Sequence, residues 1–203
     1  MFGLGVSWRT ILPNTTRQAE QQVEQINQIL SCAFITAMGS ANLALEEIEE
    51  LENTRPYIIQ LLEARQAVEH YESTRDLDGA INLLPAGHSG NTSPADETSM
   101  SFTGRVPSFL SDLKSRREAA DNSDEIVALE EEVAANITDT YHQKIAVHIC
   151  TKVARADGEF AESELTSVYY MCKKWNTTYY EASGWFQIAV RPVLTGLAPG
   201  RRV

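Results

Sequence analysis

From Gln25 to Leu45 the chain carries no charged side chain, and within that span Ala33, Ala37 and Ala41 recur every four residues. Residues so spaced share one face of a helix, and small side chains there let a second helix approach closely. A helical packing ridge is therefore predicted. Further along, Ile126, Leu129, Val133, Ile137, Tyr141, Ile145 and Val153 follow one another at helical intervals. No segment alternates in the manner of a strand, and no internal repeat is visible. The predicted fold class is all-α.

Punctuation divides the pattern into elements. Asn14, Thr15 or Thr16 can cap a helix that runs through Gln18 to about Glu52, broken or bent at Gly39-Ser40. Thr54-Arg55-Pro56 reads as the start of a second helix ending near Tyr71, and Asp76 to Leu84 as a short third one stopped by Pro85. Residues 1–84 form a helical hairpin region on this reading. The stretch 85–104 is rich in Pro, Gly, Ser and Thr, lacks periodicity, and reads as a flexible linker.

Residues 105–203 then form a helical bundle. Pro107 to Ala120 is a helix with Phe109, Leu110 and Leu113 on one side, and Ser123 opens another whose stripe continues to Val153 before Gly158 breaks it. Glu162 to Trp175 places Leu165, Val168, Tyr169 and Cys172 inward. Thr178-Tyr179-Tyr180-Glu181 is a capping box for a last helix that carries Trp185, Phe186 and Ile188 as far as Pro192.

Charge narrows the partners. With a formal net charge of -11 and no lysine before Lys114, attraction to nucleic acid is unfavourable, because that needs clustered Lys and Arg. The uncharged stretch is diluted by Gln25, Asn27, Gln28, Ser31 and Thr36 and flanked by acidic residues, which favours a buried helix over a membrane span. The alternative is a membrane-associated protein anchored through residues 25–45. Cys32, Cys150 and Cys172 are odd in number and far apart, as suits reduced thiols in a cytoplasmic protein. His142 and His148 fall on different helix faces and form no metal pair. The absence of a Gly-rich phosphate loop, His-Glu-x-x-His or Gly-x-Ser-x-Gly predicts no catalysis.

The densest chemistry lies at Ala156-Asp157-Gly158-Glu159-Phe160-Ala161-Glu162-Ser163-Glu164-Leu165. Asp157, Gly158, Phe160 and Glu164 fit the second half of an EF-hand loop, while Val153 and Arg155 occupy its first and third ligand positions without an oxygen to offer. A structural reading stands beside this one. Gly158 ends one helix in a left-handed turn, Phe160 plugs the junction, and Glu162 and Glu164 favour the dipole of the next helix.

The order apolar helix, Ala-Asp-Gly-Glu, Glu-Ser-Glu-Leu, amphipathic helix, turn, helix over Ile145 to Phe186 resembles the tellurite-resistance TerB-like family. That helical domain is shared with the amino-terminal region of certain membrane-anchored DnaJ-type co-chaperones. The resemblance covers the last third of the chain. It implies a helical bundle with an acidic patch, a place in stress-response assemblies, and in some members a divalent cation, here calcium or magnesium. Carried over by position, the metal-ligating candidates are Asp157, Glu159, Glu162 and Glu164. The expected function is a non-enzymatic interaction or scaffold protein. Ala33, Ile35, Ala37 and Ala41 are the expected contact ridge for a protein partner or a second copy.

Overall fold

Ten α-helices and no strand occupy residues 12–40, 43–85 and 106–197, the parts of the chain that this computed structural model describes. The all-α class follows from the periodicity as predicted. Ala41 and all of the expected linker except Pro85 lie outside the described residues.

α1 (Leu12–Ala37) gives way to a 3-10 turn at Met38–Ser40 and then to α2 (Leu45–Glu63), so the first long helix is broken and not merely bent. The cause is a close approach. A Cβ on Gly39 would lie 3.2 Å from the Glu164 nitrogen and from the Ser163 carbonyl carbon, so the turn rests directly on another helix's backbone. Thr54-Arg55-Pro56 starts no helix, because α2 runs straight through it. Leu51, Thr54, Ile58 and Leu61 are its buried face, and that burial holds the helix across Pro56. α3 (Arg65–Thr74) ends at Arg75 in the left-handed conformation, φ 60°, and α4 (Leu77–Ile81) begins where Asp76 Oδ1 accepts the Gly79 N–H at 3.0 Å.

A 3-10 turn at Ser108–Leu110 leads into α5 (Ser111–Ala119); Leu110 and Leu113 are buried, whereas Phe109, expected beside them, is exposed. The stripe from Ile126 to Val153 is not one helix. α6 (Ser123–Ala135) stops, and α7 (Thr140–Ala154) restarts where Asp139 Oδ1 accepts the His142 N–H at 3.1 Å. Trp175 Nε1 donates to Ala134 O at 2.9 Å, a carbonyl that also accepts the Ile137 N–H at 3.1 Å, and so fastens Trp175 to the end of α6.

α8 (Glu162–Lys174) and α9 (Tyr179–Trp185) follow, the latter opened by the expected box: Thr178 Oγ1 accepts the Glu181 N–H at 3.1 Å and Glu181 Oε2 accepts the Thr178 N–H at 2.8 Å. Pro192 does not end the final helix. A π-helical turn at Phe186–Val190, in which Arg191 N–H reaches back to Phe186 O, carries the chain into α10 (Arg191–Thr195), and Gly196 at φ 66° stops it.

α1 and α7 are the central pair, with α2, α6 and α8 packed around them and α4 against α10. One hydrophobic cluster extends from Ile26 to Val193, so helices before residue 85 and after residue 106 share a core. Ala33, Ile35 and Ala37 lie completely inside it, and the helices that approach them belong to this chain. No helix among the described residues is long and apolar enough to cross a membrane.

Two glycines separate close approach from simple propensity. Gly39→Ala pushes a methyl group into α8 backbone and is expected to cost about 1–3 kcal/mol. Gly184→Ala, in α9 with nothing within 4 Å of the new methyl, is expected to stabilise by about 0.5–1 kcal/mol. Urea unfolding of both variants checks the pair, and equal effects would refute the contact.

Candidate functional site

The acidic turn between α7 and α8 is built by short-range bonds. Ala156 N–H donates to Val153 O at 2.9 Å and Gly158 N–H to Arg155 O at 3.1 Å, which ends α7. Gly158 then adopts φ 91°, with open space where a Cβ would sit, so glycine is required there by conformation and not by crowding. Asp157 Oδ1 accepts the Glu159 N–H at 2.9 Å. The Arg155 guanidinium lies 5.0 Å over the Phe160 ring, and Phe160 is half-buried at the junction.

α8 begins at Ala161, which offers no side-chain acceptor. The cap is supplied from inside the helix: Glu164 Oε2 accepts the Ala161 N–H at 2.7 Å. α2 begins in the same way at Ala44, whose N–H is accepted by Glu47 Oε2 at 2.7 Å. A motif therefore appears twice: an apolar helix, a turn, an extended alanine, and a glutamate three residues on. Only the alanine and the glutamate match in type, too little for a repeat to be seen in the sequence.

The two glutamates meet. Glu47 is 1% and Glu164 3% exposed, and the two carboxyl groups lie near enough for each to act on the other's protonation. Glu47 Oε2 receives the Ala44 N–H, and no donor among the described residues reaches buried Glu47 Oε1, so a proton on one of the two carboxyl groups is what would pair that oxygen with Glu164. Burial, opposed by the Ala44 N–H and reinforced by the Glu164 carboxylate and Asp157, pushes Glu47 up to about 7. Burial raises Glu164 as well.

Of the four metal-ligating candidates, Asp157, Glu159 and Glu162 are exposed and Glu164 is turned inward onto its cap and Glu47. Among the described residues no group of three or more His, Cys, Asp or Glu side chains is placed to hold a metal ion. Asp139, at the opposite end of α7 from the turn, and Glu132 in α6 are engaged elsewhere. Asp139 pairs with Arg65 at 3.0 Å, and Glu132 takes a two-pronged contact from Arg116 at 2.6 and 2.8 Å.

The remaining reactive side chains are held in the core. His148 stacks on Phe186 with ring centres 3.5 Å apart and meets the Tyr57 hydroxyl at 3.3 Å, and its burial lowers it to about 4. Burial pushes the Cys150 thiol up to about 12 and Cys172 to about 11, so neither forms a thiolate near neutrality. An open groove of about 700 Å³ runs along α1 past Ala19, Val23, Asn27 and Asn136.

α8 is the element whose orientation the sequence misjudges. Its inner face is Glu164, Ser167, Val168, Met171 and Cys172, while Leu165 and Tyr169 are 45% and 61% exposed. Two polar residues have taken inner positions: Glu164 for its cap and for Glu47, and Ser167 for a 3.5 Å contact with Thr36 and a hydrogen bond from its hydroxyl to buried Glu130. The apolar pair is displaced outward. Comparison with family models, curated proteins and solved structures finds no match to the chain.

Because Glu47 is raised from 4.5 to about 7, the folded chain holds a proton that the unfolded chain releases in that interval. Stability therefore falls as pH rises from about 4.5 to about 7 and is flat beyond. Glu47→Gln keeps an acceptor for Ala44 and a donor for Glu164 without the proton. It is expected to gain about 2 kcal/mol at mildly alkaline pH and to lose the slope, read from urea midpoints across the range. A variant with the same slope as the parent would show that the pair shares no proton.

Proposed function

We propose that the chain is a non-enzymatic interaction module of the TerB-like kind, and that it binds another protein through the outward face of α8. One observation carries this reading: Leu165 and Tyr169, one turn apart on a helix whose other face is fully packed, both project into solvent. Single exposed apolar residues are ordinary, but an adjacent leucine and tyrosine on a fixed helix make a preformed anchor that loses little entropy on binding. Two internally capped turns, at Ala44 and Ala161, hold the helix pairs in place. The TerB-like part of the proposal rests on the acidic turn alone.

Leu165→Glu combined with Tyr169→Glu removes the anchor without touching the core. Its unfolding free energy is expected to stay within about 0.5 kcal/mol of the parent. The chain carrying both changes should lose the partner, a second copy or another protein, that associates stoichiometrically with the parent in native cells. A normally folded variant whose co-purifying proteins and self-association are both unchanged would defeat the proposal.

A further inference from the structure

The exposed stripe of α8 has an order along its length. Glu162 stands at the amino-terminal end, Leu165, Thr166 and Tyr169 occupy the middle, and Lys173 stands at the carboxy-terminal end, all of them exposed. At about 1.5 Å per residue the acidic and basic ends lie about 16 Å apart, three turns of helix. Such a stripe is complementary to itself turned end for end.

We infer that this face binds a second copy of the chain, two α8 helices packing antiparallel about a two-fold axis. In that arrangement Glu162 of each copy faces Lys173 of the other, and Leu165 and Tyr169 of both copies close the centre. A two-fold contact uses the same patch on both sides, so a patch can serve only if it carries its own complement. This one does, in charge as well as in apolar content. Antiparallel packing also sets each helix's positive end beside the other's negative end. The net charge of -11 on each copy opposes association at long range, but charges beyond about 8 Å are screened at physiological ionic strength, and the contact itself pairs opposites. A single helix face is a small interface, which makes the dimer reversible and dependent on concentration.

The inference rests on the interaction reading above and names its partner. Charge exchange tests it on the full chain by sedimentation equilibrium over a concentration series, with circular dichroism to verify folding. The parent is expected to shift from the mass of one chain to that of two as concentration rises. Glu162→Lys alone sets lysine against lysine, and Lys173→Glu alone sets glutamate against glutamate; each should weaken self-association by about tenfold or more. Mixed together, the two single variants should pair with each other, and the chain carrying both changes should dimerise like the parent. A parent that stays monomeric throughout overturns the inference, as do single variants that dimerise normally or a mixture that fails to pair. If the parent is monomeric yet Leu165→Glu with Tyr169→Glu still abolishes co-purification of another protein, the interaction reading survives and only its partner changes.

Discussion

The structure depends on the place where the turn after α1 rests on the start of α8. Gly39 brings backbone against backbone there, leaving no room even for a methyl group. Both neighbouring helices, α2 and α8, open at alanines, and each has its first N–H satisfied by its own glutamate. Because those glutamates are buried against one another, the caps are not independent. The burial of both carboxyl groups at one junction raises both, and it links the two helix pairs at their ends as the α1–α7 contact joins them along their lengths.

A buried carboxyl pair is costly when both members are ionised, and the alternatives explain its form. A serine or aspartate at position 44 or 161 would accept the N–H three residues on, as Asp76, Asn122, Asp139 and Thr178 do elsewhere in this chain, but its own N–H would still need the glutamate, as the Thr178 N–H needs Glu181. With alanine at both places, only the glutamate arm of each capping box is present. The glutamates face inward because the caps lie inward. Their burial is a consequence of the close approach and needs no bound ion to account for it.

Much of the fold was legible because helices announce themselves by period. The class, the capping box at Thr178, the short helix after Asp76 and the turn at Gly158 all rest on local signals, and local signals survive in the folded chain. What failed was decided at long range. The stripe through Ile137 and Tyr141 stays in phase across a break, so nothing in the periodicity marks the stop before Asp139. Pro56 and Pro192 read as boundaries, yet packing carries one helix past the first and a π-helical turn carries the other past the second. In the candidate site the acidic turn itself was evident. The inward role of Glu164 was not, because its partner Glu47 is remote in sequence and repeats only two residue types of the motif.

The same long-range decision determines what α8 presents to solvent. A reading by hydrophobicity puts Leu165 and Tyr169 in the core, and by area alone that would bury more apolar surface. The helix instead turns Glu164 and Ser167 inward with Val168, Met171 and Cys172, which keeps the Ala161 N–H paired and still buries three apolar side chains. The outward stripe is thus a product of the buried polar pair. Glu164, which caps the helix, and the exposed pair Leu165 and Tyr169 sit on one rigid helix, so the inner junction and the outer face belong to one mechanical unit.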